Sequence, residues 1–211
     1  MSREHEYALL DGVNRATVGR YLGVLAGLTS GAVVYLILAV VDLAKRFHMP
    51  VNVPPTFLSL ASAGTVFGVL YWVLDRYAWR WPRLGELLGV PDLSGQWHCD
   101  GESLTQDGTI IHKWKGTITI VQSWYKIRVR LRTEQSGSNS ISAALICDKA
   151  DGYVLLYHYR NDPKVGQPEL KSHRGFAELT FSKDRASATG DYFNGAGRNT
   201  FGTMKLRKRA S

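Results

Sequence analysis

Residues 21–41 read YLGVLAGLTSGAVVYLILAVV, twenty-one positions without a charge. As a helix rising about 1.5 Å per residue, the run covers roughly 30 Å, the hydrocarbon thickness of a bilayer. A chain carrying such a segment must place it across a membrane or bury it in a core. A second uncharged run, TFLSLASAGTVFGVLYWVL, follows at residues 56–74, and the intervening MPVNVPP ends one helix and admits the next. The first run is too long for the apolar core of a cleaved leader, and a second span follows it. The expected arrangement is a two-helix transmembrane hairpin over residues 20–75. An N-terminal segment, 1–19, precedes it and a juxtamembrane linker, 76–91, follows.

Arg3, Arg15 and Arg20 lie before the first run and Arg76, Arg80 and Arg83 after the second, against Lys45 and Arg46 between them. The bias of cationic residues toward the cytoplasmic side then puts both termini, and the chain beyond the hairpin, in the cytoplasm. Trp72, Tyr77, Trp79 and Trp81 read as an interfacial aromatic belt.

Gly19, Gly23, Gly27 and Gly31 recur at every fourth position of the first run, and Gly64 and Gly68 form a matching pair on the second. Lipid tails are as apolar as the side chains, so helices in a membrane associate by close backbone approach across small residues. Four-residue steps drift about 40° each, so the ridge sweeps about 120° around the helix. That is wide enough to serve Gly64 and Gly68 in the same chain, a helix of another copy, or both.

Residues 92–211 have a different character. They hold eighteen Lys/Arg and twelve Asp/Glu, against eight and six in residues 1–91. The basic excess fits an anionic ligand, an anionic surface or solubility alone. Period-two alternation recurs eight times, over about 94–100, 111–121, 123–133, 139–148, 152–160, 172–182, 186–193 and 198–207. Turn signals such as Asp107-Gly108, the QSGS from Gln135, and the NGAG from Asn194 separate them. The fold class expected is therefore a transmembrane helical hairpin followed by an all-β domain, an eight-stranded antiparallel up-and-down β-barrel over 92–208. Eight strands is the count at which a barrel interior just fills, or holds one small ligand. The long NDPKVGQPELK segment at 161–171 could cover its mouth.

Alternation assigns the faces. Tyr125, Ile127, Val129 and Leu131 point one way and Lys126, Arg128, Arg130 and Arg132 the other, and burying four cations on one strand would be costly, so these face outward. The same logic gathers His112, Trp114, Tyr157, Tyr159, Tyr192, Asn194, Arg198 and Thr200 near the mouth. Flat aromatics stack on bases, and arginine and hydroxyls suit phosphate or sugar oxygens. A lipid carrier would show a plainer apolar lining, although a tethered lipocalin-like binder of an apolar molecule is the alternative. No Walker loop, nucleophile elbow, paired catalytic carboxylates or zinc spacing is present, and Cys99 and Cys147 form no ligand set. No enzymatic activity, catalytic residue, metal or cofactor is expected.

Two spans followed by a basic barrel of this size, with DLSGQW at 92–97 and GDYFNGAGRNTFGTMKLRKR at 190–209, resemble the CD-NTase-associated protein 15 family. The resemblance covers nearly the whole chain. It implies a membrane-bound β-barrel effector of bacterial cyclic-oligonucleotide anti-phage signalling (CBASS), resident in the inner membrane. A cyclic dinucleotide would bind the barrel and promote homo-oligomerisation, and the clustered spans would disrupt membrane lipid and stop the infected cell. No DNA or RNA polymer is expected as a partner.

Overall fold

The structure, a computed structural model, describes residues 4–50, 53–148, 152–166, 171–195 and 200–209. The chain divides into two units, one spanning Val13–Trp81 and the other formed by the N-terminal residues up to Gly12 together with the chain from Pro82 onward.

The second of these units is built on strands β1 (His5–Leu10), β2 (Gly95–Leu104), β3 (Ile110–Gln122), β4 (Lys126–Thr133), β5 (Ser136–Asp148), β6 (Gly152–Pro163), β7 (His173–Phe181), β8 (Ser187–Asn194) and β9 (Phe201–Lys208). They close into a barrel in the order β1-β4-β3-β2-β9-β8-β7-β6-β5. All eight expected strands are present in up-and-down order. The count is nine, not eight, because residues 5–10 of the N-terminal segment form a further strand.

That strand has a physical reason. The β4–β5 hairpin is paired only from Arg130–Arg132 to Gly137–Asn139. Beyond this, β5 has a bulge between Ser140 and Ser142 and the two strands separate. β1 fills the opening, antiparallel to β4 at His5 and Glu6 and parallel to β5 from Tyr7 to Leu10. The parallel pairing departs from the all-antiparallel expectation. Tyr7 is 2% exposed, and its hydroxyl donates to the Trp124 carbonyl at 3.0 Å. His5 Nδ1 donates to the Glu6 carbonyl, which leaves Nε2 to accept from the Ser140 hydroxyl at 2.7 Å. Ser140 Oγ in turn accepts the Val129 N–H at 2.9 Å, so the bulge is hydrogen-bonded from both sides.

The barrel interior is graded along its axis. At the end where β2 begins and β9 finishes, Leu93, Trp97, Trp124, Ile118, Ile120, Ile127, Leu145, Leu155, Phe181 and Leu206 fill it, each at most 1% exposed. Trp97 meets Phe181 edge-on at 5.1 Å and donates Nε1–H to the Leu93 carbonyl at 3.2 Å. Gln122 closes this end by accepting from Leu93 N–H and donating to the Pro91 carbonyl. The outward position of Lys126, Arg128, Arg130 and Arg132 follows from their alternation with buried Ile127 and Val129.

The helical unit contains α1 (Arg15–Arg46), α2 (Pro55–Leu60), α3 (Ala63–Arg76) and a 3-10 turn at Ala78–Arg80; α4 (Pro82–Leu88) belongs to the barrel unit. The side chain of Asn14 caps α1 by accepting from Ala16 N–H at 2.8 Å, and Lys45 and Arg46 complement the negative end of its dipole. α1 is the one described helix long and apolar enough to cross a bilayer. The second expected span, which reads as continuous over 56–74, is instead broken at Ala61 and Ser62. Ser62 caps α3 by accepting from Thr65 N–H, and the Ala61 carbonyl is met by the Ser30 hydroxyl of α1. α1 and α3 are in contact, and Ala26 and Ser30 are among the buried residues of α1. A β-carbon added at Gly19, Gly23, Gly27, Gly31, Gly64 or Gly68 would meet nothing within 4 Å. The glycines therefore do not pack against one another within the chain, as the ridge was expected to allow. Trp72, Tyr77 and Trp81 are exposed as a belt requires, but Trp79 is fully buried.

Tyr7→Ala is expected to lower the stability of the barrel by about 3 kcal/mol, and Tyr7→Phe by about 1 kcal/mol, since the first removes a buried ring and the second only a hydrogen bond. Urea unfolding of the full chain, followed by tryptophan fluorescence, measures both.

Candidate functional site

The graded interior leaves room at the other end. There the strand-end residues enclose a cavity that opens to solvent at the barrel mouth. Its floor is Leu131 and Met204, and its walls are aromatic and polar.

Seven of the eight residues expected near the mouth line it: His112, Trp114, Tyr157, Tyr159, Tyr192, Asn194 and Thr200. Arg198 lies outside the described residues, as does the centre of the 161–171 segment, residues 167–170. Sequence reading missed Ser103, Ser136, Ser138, Asn161 and His173, which also line the cavity. Ser136 and Ser138 sit in a stretch that reads as a turn, but β5 already starts there. Asn161 and His173 sit where β6 and β7 meet near the mouth, at strand ends that alternation marks poorly.

Two glycine–aromatic pairs shape the walls. Gly101 faces Trp114 across β2 and β3, and a β-carbon on Gly101 would come within 2.2 Å of the indole. Gly175 faces Tyr159 across β7 and β6, where a β-carbon would come within 2.4 Å of the hydroxyl. The missing side chains let both rings lie flat over the neighbouring strand, which clears the lumen.

The polar groups are ordered in chains. Tyr192 Oη accepts from Trp114 Nε1–H at 3.2 Å and hydrogen-bonds Ser103 Oγ at 2.8 Å. Tyr159 donates to Asn194 Oδ1 at 2.9 Å, and Asn194 Nδ2 donates to Thr200 Oγ1 at 2.8 Å. His173 Nδ1 donates to the Lys171 carbonyl at 3.0 Å, which leaves Nε2 as the acceptor facing Asn161 Nδ2 at 3.4 Å. Burial, reinforced by neighbouring Tyr159 and Cys99, pushes the Tyr157 hydroxyl well above the usual phenol range, so it stays a neutral donor. It has no hydrogen-bond partner among the described residues and is free to take one from a ligand.

Among the described residues no carboxylate lines this cavity. An anionic ligand would meet no fixed negative charge, two imidazoles, several hydroxyl and amide donors, and four aromatic rings. No hydroxyl in the lining pairs with a histidine, and no cluster of metal-ligating groups occurs among the described residues. The chemistry on offer is stacking and hydrogen bonding.

The structure thus pairs a closed barrel holding a polar-aromatic cavity with a helix long and apolar enough to cross a bilayer. Residues 88–208 match the family model described as the Cap15 cyclic dinucleotide receptor domain, and residues 16–80 match the Cap15 TM helices. The chain is 43% identical over 206 residues to CD-NTase-associated protein 15 of Yersinia aleksiciae, covering 98% of each. It is 27% identical over 136 residues to the protein of that name from Staphylococcus schleiferi, covering 64% of this chain and 70% of that one. The chain belongs to the CD-NTase-associated protein 15 (Cap15) family of CBASS-associated proteins.

Two outcomes follow from the geometry. Tyr192→Phe removes the acceptor of Trp114 and the partner of Ser103, and should cost about 1–2 kcal/mol in urea unfolding. Burial raises the Cys147 thiol to about 11 and Cys99 to about 12. With so little thiolate, Cys147 in the folded chain at pH 8 should alkylate about a hundredfold more slowly than in urea. A mass-spectrometric time course with iodoacetamide reads that ratio.

Proposed function

We propose that this protein is a cyclic-dinucleotide-gated effector of bacterial anti-phage defence, which assembles in the inner membrane and disrupts it when its barrel is occupied. The observation that carries the reading is the cavity: aromatic planes, neutral donors and imidazoles without a carboxylate, inside a domain matched by a cyclic dinucleotide receptor model. A ligand with two bases and two phosphates needs that combination. A fatty acid does not, and the Ser, Thr and Asn walls would leave polar groups unpaired against an acyl chain. His112, Trp114, Tyr157, Tyr159, Tyr192, Asn194, Arg198 and Thr200 are the proposed contacts.

Membrane topology has support from connectivity. The helical unit leaves the barrel unit after Gly12, directly beyond β1, and rejoins it at Pro82. A segment with both ends tied to one folded body crosses a bilayer an even number of times. α1 is one crossing, and α2 with α3 together supply the return. The cationic flanks support a cytoplasmic barrel.

The output is assigned to the glycine ridge. Gly19, Gly23, Gly27 and Gly31 leave the backbone of α1 open, with no described atom within 4 Å of a β-carbon placed there. In lipid, helices of other copies fit there. Ligand gates this only by binding the assembled state more tightly than the free one; a ligand with equal affinity for both shifts nothing.

Calorimetric titration of the full chain in detergent with a panel of cyclic dinucleotides should give saturable heat for at least one of them. Binding of a fatty acid, with no response to the panel, would refute the reading. The full chain is required because a fragment starting at residue 92 lacks β1. Gly23→Leu with Gly27→Leu should leave that titration unchanged and abolish killing of phage-infected cells. Killing at wild-type level would remove the ridge from the mechanism.

A further inference from the structure

The outer wall of the barrel carries a row of large apolar side chains. Phe176, Phe193, Phe201, Leu104 and Ile110 stand side by side in register on β7, β8, β9, β2 and β3. Phe176 and Phe193 stack at 5.5 Å, yet Phe193 is 57% exposed and Phe201 37%. The neighbouring row holds Glu178 directly opposite Asp191. Like charges in direct cross-strand register repel. Neither carboxylate has a cationic partner among the described residues; in the same row Glu102 is paired with Lys113 at 3.1 Å, and Lys205 lies one step further along β9. An exposed aromatic row beside an uncompensated acidic pair is a surface that a cationic face would complete.

The same barrel has that face. Lys126, Arg128, Arg130 and Arg132 project outward from β4. Arg128 donates to the neutral Asn139 at 2.7 Å, and neither it nor Arg132 forms an ion pair among the described residues. In the closed strand order, β4 is separated from β8 by three strands one way and four the other. The acidic-aromatic and cationic faces are thus on opposite walls. β1 ends at Leu10 opposite Ile146, and β2 begins at Gly95, both at the end remote from the cavity.

We infer that the barrels associate head to tail, with the Phe193–Asp191 wall of one copy on the β4 wall of the next. The contact is heterologous, because each copy offers one face of each kind and the two differ. It extends into a row or a ring, where a two-fold contact would stop at a dimer. This rests on the assembly reading above and names the partner surface within it.

The test uses the full chain in detergent or liposomes. Asp191→Cys chains are mixed with Arg132→Cys chains and treated with a short bismaleimide, with and without the cyclic dinucleotide panel. The unsubstituted chain, with its two native thiols, sets the background. The expected product is the mixed adduct joining position 191 of one copy to position 132 of another, at least tenfold over either homotypic adduct, with its yield falling as salt rises. In parallel, Glu178→Arg/Asp191→Arg chains and Arg128→Glu/Arg132→Glu chains should each fail to assemble alone and recover when mixed. Homotypic adducts as abundant as the mixed one, no adduct at any protein density, or adducts only to unrelated proteins would overturn the inference. Mixed adducts independent of nucleotide would uphold the faces and remove nucleotide gating. Assembly that depends on nucleotide but gives homotypic adducts would do the reverse.

Discussion

The whole receptor depends on how one seam is closed. β4 and β5 are joined by a short hairpin and share only three residue pairs before a bulge at Ser140–Ser142 parts them. A barrel with that gap would expose backbone donors and acceptors of both strands along an open edge. β1 pairs with both sides of it, and Tyr7, His5 and Ser140 fasten the insert. Because the pocket residues Leu131, Thr133, Ser136 and Ser138 come from the same two strands, the seam and the cavity wall are two ends of one structure. β1 also runs straight into α1 through four residues, so the segment that seals the barrel leads directly to the membrane helix. A change in β4–β5 spacing around a ligand has a short covalent route out.

What was legible in the sequence follows the strength of each physical signal. β2 to β9 announce themselves because every second residue is buried and apolar along much of their length, with turn chemistry between. β1 does not, since HEYALL has one deeply buried side chain, Tyr7, and its pairing partners lie more than a hundred residues away. The break in the second apolar run was equally hidden. Ala61 and Ser62 are ordinary helix residues, and only Ser30 on another helix supplies the partner that the freed carbonyl needs. The glycine spacing stands out as unusual in the sequence alone. That the buried residues of α1 are Ala26 and Ser30, one position round the helix from Gly27 and Gly31, depends on packing geometry, which spacing does not encode.

The cavity was half legible for a related reason. Aromatic side chains at strand ends stand out, and Trp114, Tyr157, Tyr159 and Tyr192 come together around one space with His112, Asn194 and Thr200. Small polar side chains do not stand out. Ser136 and Ser138 lie within QSGSNS, which has the composition of a loop and the hydrogen bonding of a strand. Ser103 is recognisable only from Tyr192, which it reaches across eighty-nine residues of chain. The interior thus combines conspicuous aromatics with polar groups of which Asn194 and Thr200 were readable and Ser103, Ser136 and Ser138 were not.

The placement of β1 also sets an order of events during synthesis. This strand is made first, yet its partners at Ile127 and Ala143–Ile146 emerge after the entire helical unit. A translating chain therefore carries β1 unpaired while α1, α2 and α3 are made, and the rest of the barrel follows them. The pairing of β1 with β5 spans the longest stretch of chain in the barrel and so carries its largest loop-closure entropy cost. On the function proposed above, the occupied state harms the host, and this order gives the chain a competent sensor only after its membrane part is already made.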